Sequence, residues 1–422
     1  MDPLRIPERP LRRSAGWTRP AACVEPGVSG GLLILEAALA LVLLGIVVEL
    51  GTRWWLRRQG AYYVWPPGLR LYLHLDRTVF PELEPLARIE INADGERGGA
   101  VPRSRDGLYR VLVGGGSPVE CALLDQATSW PGALERLLQK PEHLWKLGAS
   151  AVHVGNIGSS GVTSQALNLI LERVLARYRQ LDAIIIMVGG NDVFHWLGKG
   201  APPSPEYPPL PASKVFSYHP EGPFGWRPGA LAVIELLKRL RWRWLRPVKV
   251  RRGSGAWVAK ARAMRARARE IRATTPDPTP MLDFFEAQLR QLLRGAKGRA
   301  NRVLLVRQPW FEKNYTPEEL AHIWHGGVGD PMQEEVTVYY TAEVLCRLMA
   351  LVDARAAVVA DELRVESLTL WPSLEPSLET YYDFVHFTPA GAAVVAEAVG
   401  AALLRSPTAV ADRPLRVQAP AR

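Results

Sequence analysis

A serine, a histidine and an aspartate carry the sharpest chemical signal in this sequence, and each stands beside a turn. Ser117 follows Val111-Leu112-Val113-Gly114-Gly115-Gly116 and precedes Pro118. Three apolar residues, two of them β-branched, predict a buried strand, three glycines allow a sharp turn, and proline suits the start of a helix. A hydroxyl at such a turn sits at the carboxyl end of a strand, where open α/β sheets bind their ligands. The same glycines would also suit a phosphate cradle or a plain turn, but no Lys-Ser/Thr pair follows them, which excludes a Walker loop. Toward the other end, Asp383 precedes His386 by three residues in Tyr381-Tyr382-Asp383-Phe384-Val385-His386-Phe387, and Thr388-Pro389 reads as an N-cap and first helical residue. In a compact turn the Asp383 carboxylate takes the His386 Nδ1 proton, which fixes the tautomer and leaves Nε2 as a general base. A lone D-x-x-H pair also occurs around structural histidines, so its weight comes from the company it keeps.

Two further loops supply that company. Gly155-Asn156-Ile157-Gly158-Ser159-Ser160-Gly161-Val162-Thr163-Ser164 offers many backbone N–H groups, and Thr163 or Ser164 suits the start of a helix. Gly189-Gly190-Asn191-Asp192 places an amide N–H₂ where it can meet a developing oxyanion, a donor worth about 3 to 4 kcal/mol in a dry site. Asn191 would serve equally as a helix cap or turn residue.

The elements that must position these loops alternate in type. Strands are predicted at 109–113, 151–154, 183–188, 303–306 and 364–370, and helices near 130–139, 163–179, 333–359 and 389–404. Such alternation predicts an α/β protein with a parallel sheet covered on both faces. Residues 198–280 interrupt it. They open with Pro-Pro-Ser-Pro-Glu-Tyr-Pro-Pro-Leu-Pro, an extended run unsuited to the sheet, and continue into Ala230–Val250, apolar at first and then basic with Trp242 and Trp244. That helix suits either a membrane interface or packing on its own domain, whereas 262–272 reads as a solvated, charged helix. Trp310 and Phe311 fit a sugar-stacking platform and core packing equally well.

The four loops in this order resemble the SGNH, or GDSL-type, hydrolase superfamily, in the manner of its membrane-anchored bacterial members. The resemblance spans 106–405 without the 198–280 insertion. It implies a three-layer α/β/α flavodoxin-like fold and ester chemistry through an acyl-enzyme. Carried over, Ser117 is the nucleophile, His386 the base and Asp383 its orienting partner. The oxyanion hole is the Ser117 N–H, the Gly161 N–H (or that of Gly158) and the Asn191 side chain. One position departs from the family: Gly116 stands where an aspartate is common. Pro118 argues against the α/β-hydrolase elbow, which needs an N–H from the residue after the nucleophile. The implied substrate is an ester, a carbohydrate or lipid O-acyl group, with no metal and no organic cofactor.

The chain has 422 residues, 48% hydrophobic and 22% charged, enough to bury a sizeable core. Leu32–Leu50 is almost wholly apolar, with Glu36 and Glu49 toward its ends and Arg53, Trp54, Trp55, Arg57 and Arg58 following. We expect a membrane-spanning helix over 31–52, with a buried helix or a signal peptide as the weaker readings. The net charge of +10 comes mostly from arginine near the N-terminus and between 239 and 272, without a nucleic-acid-binding motif, so a membrane surface is the better partner and nucleic acid is not expected. Three cysteines, widely spaced, imply no disulfide framework. The expected organisation is a basic disordered tail (1–30), the membrane helix (31–52), a stalk packing on the main domain (53–105, with a short extended segment at 87–92), the main domain (106–405) and a disordered tail (406–422), with the domain facing the cell envelope. An O-acyltransferase of envelope polysaccharide is the nearest alternative, and a non-catalytic, membrane-tethered binding protein is the rival from another class.

Overall fold

A computed structural model of the chain describes residues 28–58, 62–102, 104, 106–217, 219, 231–244, 248–371 and 373–405. The basic tail expected before residue 28 and the tail expected after 405 lie outside the described residues. The chain falls into two compact units, Met1–Gly51 and Thr52–Arg422.

The elements run α1 (Val28–Arg58), β1 (Arg70–Leu75), β2 (Leu86–Glu90), β3 (Leu108–Gly115), α2 (Ser117–Glu120), α3 (Trp130–Leu138), α4 (Pro141–Leu147), β4 (Ala151–Asn156) and α5 (Ser164–Val174). They continue with β5 (Leu181–Met187), α6 (Gly190–Gly198), α7 (Ala232–Trp244), β6 (Val248–Ser254), α8 (Ala256–Ala266), β7 (Glu270–Arg272) and α9 (Thr279–Lys297). The last are β8 (Ala300–Val306), α10 (Pro317–His322), β9 (Val338–Tyr340), α11 (Ala342–Glu362), β10 (Glu366–Leu368) and α12 (Pro389–Leu404).

The main sheet is parallel throughout, in the order β4-β3-β5-β8-β10. Counted along the chain its strands lie 2-1-3-4-5, the flavodoxin-like order. Each strand must be apolar on both faces, and β5 shows why its sequence runs apolar without alternation. Ile184 and Ile186 pack into one core with α5, α9 and α11, while Ala183, Ile185 and Met187 pack into the other with α3 and α12. The predicted three-layer α/β/α architecture is therefore present. Because β3 has β4 on one side and β5 on the other, the chain's connections diverge between the carboxyl ends of β3 and β5. That crevice is where sheets of this topology hold ligands.

Several expectations change. In the 60–105 stretch, where an extended segment was expected at 87–92, β1 and β2 form an antiparallel pair, and β6, from the insertion, adds to β1 in parallel. Helix α9 lies where no helix was expected, and its Leu282, Phe285, Leu289 and Leu293 fill one side of the core. Residues 333–341 are not helical, because β9 pairs with β7 and Thr341 caps α11 by accepting from the Val344 N–H. The helix expected over 262–272 ends at Ala266 as α8, and Arg265 is buried within it rather than solvated. The proline run stays outside the sheet, and Gln165 Nε2 donates to the Pro208 carbonyl at 3.0 Å. In α7, Leu231, Ile234, Leu237 and Leu240 form an exposed apolar stripe on the helix and its lead-in. Within α1 the 26-residue segment Gly31–Leu56 is long and apolar enough to cross a membrane, with mean hydropathy 2.7.

Candidate active site

The strand β3 delivers Ser117 because nothing larger than glycine fits before it. A Cβ on Gly115 would stand 2.2 Å from the Met187 carbonyl oxygen of β5, and one on Gly116 would stand 2.5 Å from Asn191 Nδ2. A side chain at 116 would therefore require the Asn191 amide to shift, whereas one at 115 would meet backbone. Ser117 then opens the single-turn helix α2, with Pro118 in its first turn and Cys121 in a left-handed conformation (φ 51°) at its end. A non-glycine residue held there is strained.

Arg97, from the stretch expected to be a stalk, holds that end in place. Its guanidinium is buried and donates to the carbonyls of Glu120, Cys121 (2.8 Å) and Leu124 (2.8 Å), and to Gln126 Oε1 (3.0 Å). Arg97→Met would strand the buried Glu120 and Leu124 carbonyls, while that of Cys121 keeps the Leu124 N–H at 3.0 Å. At about 1 to 3 kcal/mol for each stranded acceptor, we expect at least about 2 kcal/mol of lost stability in urea unfolding, and an unchanged midpoint would refute the role.

The loop after β4 folds over α2. Asn156 Nδ2 donates to the Val119 carbonyl at 2.8 Å, and Ser159 N–H donates to the Gly115 carbonyl at 3.1 Å. Glu120, buried and absent from the sequence-derived site, accepts from both the N–H and the hydroxyl (2.6 Å) of Ser160. Burial raises its carboxyl pKa, against the lowering effects of Ser160, Arg97 and His386. The two glycines of this loop differ in their N–H groups. That of Gly158 is spent on Asn156 Oδ1 at 2.7 Å, whereas Gly161 sits at φ 75° and makes no hydrogen bond among the described residues.

Asn191 lies in the first turn of α6, after the Gly189 cap, and Nδ2 donates to the Val162 carbonyl at 3.0 Å. One of its amide hydrogens is so used, leaving the other. Beside it, Asp192 accepts from Ser164 N–H (3.0 Å) and Ser164 Oγ (2.5 Å), which ties α6 to the start of α5. Burial pushes the Asp192 carboxyl up to about 6 against those two bonds. Its folded pKa lies above the ordinary 3.8, so the unfolded chain ionises first as pH rises. The stability it contributes is present below about pH 4 and lost by about pH 6, a loss of about 3 kcal/mol. Asp192→Asn keeps an oxygen for Ser164 and removes this loss. The melting temperature of the variant should gain on the native protein between pH 4 and 7, and a constant offset would refute the assignment. A cavity of 340 Å³ opens beside Gly161, walled by Thr163, Asp192, His195, Tyr207 and Phe284.

The histidine loop is a tight turn. Tyr382 N–H donates to the His386 carbonyl (3.0 Å), Thr388 N–H to the Thr380 carbonyl (3.0 Å), and Thr388 Oγ1 caps α12 by accepting from Gly391 N–H (3.2 Å). Within it His386 Nδ1 lies 2.8 and 2.9 Å from the two Asp383 oxygens. Asp383 is fully buried and also accepts from the N–H groups of Val385 and His386 (both 3.0 Å) and from Trp324 Nε1 (2.9 Å). Burial would raise its pKa, but His386, His325 and these donors outweigh it and hold the carboxylate well below its usual range. Trp324 was not read from the sequence, and neither were the two arginines of α8. Arg262 donates to the Tyr382 carbonyl at 2.8 Å, and Arg265 to the carbonyls of His325 and Tyr340.

Electrostatics couple this loop to α2 and the residue after it. The Tyr382 ring stacks on His386 with centroids 5.4 Å apart, and its hydroxyl lies in the fields of Cys121 and Glu120; Glu120 in turn feels His386. Phe311 N–H donates to the Phe384 carbonyl at 2.8 Å, which fixes the loop beyond the carboxyl end of β8. Ser117 Oγ and His386 Nε2 are not hydrogen-bonded in this structure. Such bonds are often long before substrate closes them. Trp310 and Phe311 are buried among Trp371, Tyr315 and Tyr381, so core packing accounts for them.

His325, Asp383 and His386 bring possible metal ligands within 4.8 Å of one another. The lone-pair sites of Asp383 are already taken by Val385, His386 and Trp324, which leaves it none to offer a metal ion, and the Nδ1 of His325 has no hydrogen-bond partner among the described residues. His325 stacks on Trp324 with centroids 3.9 Å apart, and burial pushes its pKa down to about 3, which keeps it neutral beside His386.

No family model matches the sequence, and no curated protein does. Among solved structures, the chain is similar to Axe2, an acetylxylan esterase from Geobacillus stearothermophilus (17% identity, TM-score 0.36, covering 69% of this chain and 92% of that one). It is similar also to a member of the lipolytic protein G-D-S-L family from Veillonella parvula (10%, TM-score 0.38, 71% and 100%). A third is LAE5, an alpha/beta hydrolase enzyme from the metagenome of Lake Arreo, Spain (13%, TM-score 0.37, 71% and 97%). Identity and superposition at this level leave the reading of the site to its own geometry.

Proposed function

We propose that this protein is a serine esterase of the SGNH type, held at a membrane by α1. The observation that carries the reading is the Asp383–His386 pair, a fully buried carboxylate on Nδ1 of a partly exposed imidazole. Its imidazole acts electrostatically on Glu120, in the helix that begins with Ser117. Ser117 Oγ attacks the ester carbonyl carbon and passes its proton to His386 Nε2. The carbonyl oxygen becomes an oxyanion held by the N–H groups of Ser117 and Gly161 and by Asn191 Nδ2. His386 returns the proton to the departing alkoxide, and water then cleaves the acyl-enzyme by the same route in reverse. Asp383 stays ionised throughout and steadies the imidazolium.

A fluorophosphonate probe tests this on the full-length chain. Covalent labelling that maps to Ser117, together with turnover of 4-nitrophenyl acetate, is expected. No labelling, or labelling confined to another serine, would overturn the reading in favour of a tethered binding protein.

A further inference from the structure

The small sheet formed by β1, β2 and β6 has two unlike edges on one face. Its register sets Leu71 opposite Lys249 and Leu73 opposite Arg251, so apolar and basic side chains alternate onto the same side. That side lines a cavity of 740 Å³. Leu69, Leu71, Leu73, Ile89 and Ile91 make its floor. Lys249, Arg251 and Arg252 line its edge, all exposed and without an ion pair among the described residues. The inner wall is shared with the candidate active site: Glu120 closes it, and Trp65 Nε1 donates to the Gly158 carbonyl at 3.0 Å.

An apolar floor beside three unpaired cations complements a hydrocarbon chain with a negative head, and an uncharged glycan would leave both features unused. Glu120 adds little repulsion, because its carboxylate is buried and turned onto Ser160. We propose that this cavity seats an anionic amphiphile, its chain on the leucines and isoleucines and its phosphate or carboxylate head against Lys249, Arg251 and Arg252. Resting on the esterase reading, the seated amphiphile is the substrate.

The test uses the full-length protein in phosphatidylcholine nanodiscs, with empty discs subtracted, and a 12-carbon alkyl phosphate carrying a diazirine on its chain. Crosslinks should map to 69–73 and 89–91, appear equally in Ser117→Ala, and be displaced by dodecyl phosphate. They should fall at least tenfold in the double variant Lys249→Glu/Arg251→Glu, whose substitutions are exposed and whose folding is checked by thermal melting. Equal crosslinking in that variant, or equal displacement by dodecyltrimethylammonium or by inorganic phosphate alone, overturns the proposal. For a 12-carbon ester with an anionic head, KM should rise at least tenfold in the double variant, and an unchanged KM removes the assignment as substrate. Should Ser117 resist the fluorophosphonate while the crosslinks persist, the esterase reading falls and the amphiphile site stands.

Discussion

Ser117→Ala should lower kcat for a short aryl ester by about 10⁶, the loss that follows when a serine nucleophile is removed from a complete relay. What survives would come from the oxyanion donors and from binding, which the change leaves in place. The fold should tolerate it. Ser117 begins a one-turn helix that is held by Arg97 at its far end, and by the Trp130 Nε1–H bond to the Pro118 carbonyl at 2.9 Å. Steady-state kinetics and thermal melting on the same preparation check both halves. Retention of more than a hundredth of the native rate would mean that another group attacks the ester.

Asp383→Asn should cost about 10⁴ in kcat, through the tautomer rather than through loss of the fold. The carboxylate accepts from four donors on its two oxygens, with His386 Nδ1 shared between them. An asparagine turned with its oxygen toward the Val385 and His386 N–H groups presents its N–H₂ to Trp324 Nε1 and to His386 Nδ1. The imidazole then carries its proton on Nε2 and has no lone pair for Ser117. Turned the other way, it sets N–H₂ against two backbone donors. Either arrangement also leaves a buried donor unmet, at about 1 to 3 kcal/mol. The kcat should fall while KM for the aryl ester changes little. A tenfold loss or less would show that Asp383 only supports the loop.

These two changes act at residues that sequence reasoning reached, and the reason is locality. Asp383 and His386 lie three residues apart inside one turn, so their meeting needs no distant partner. Ser117 is signalled by a strand, three glycines and a proline in a single run. The Thr388 cap is equally local, read from a threonine before a proline, and of Thr163 and Ser164, both suited to start a helix, the structure uses Thr163 as the cap. The parallel sheet followed from a strand–helix alternation that survives the insertion. What the sequence left open was which long-range partners these pieces would take. Arg97 reads as one more arginine in a Pro- and Gly-rich stretch until the fold sets three carbonyls around it. Trp324 and the α8 arginines likewise acquire roles only once the histidine loop is folded against them. Strand β6 alternates apolar and basic residues only over Val248–Arg251, too short a run to stand out in a basic stretch, and it joins β1 from across the chain. Periodicity and capping report on neighbours a few residues apart, whereas the choice of a backbone or carboxylate partner a hundred positions away is made when the layers close around a shared core.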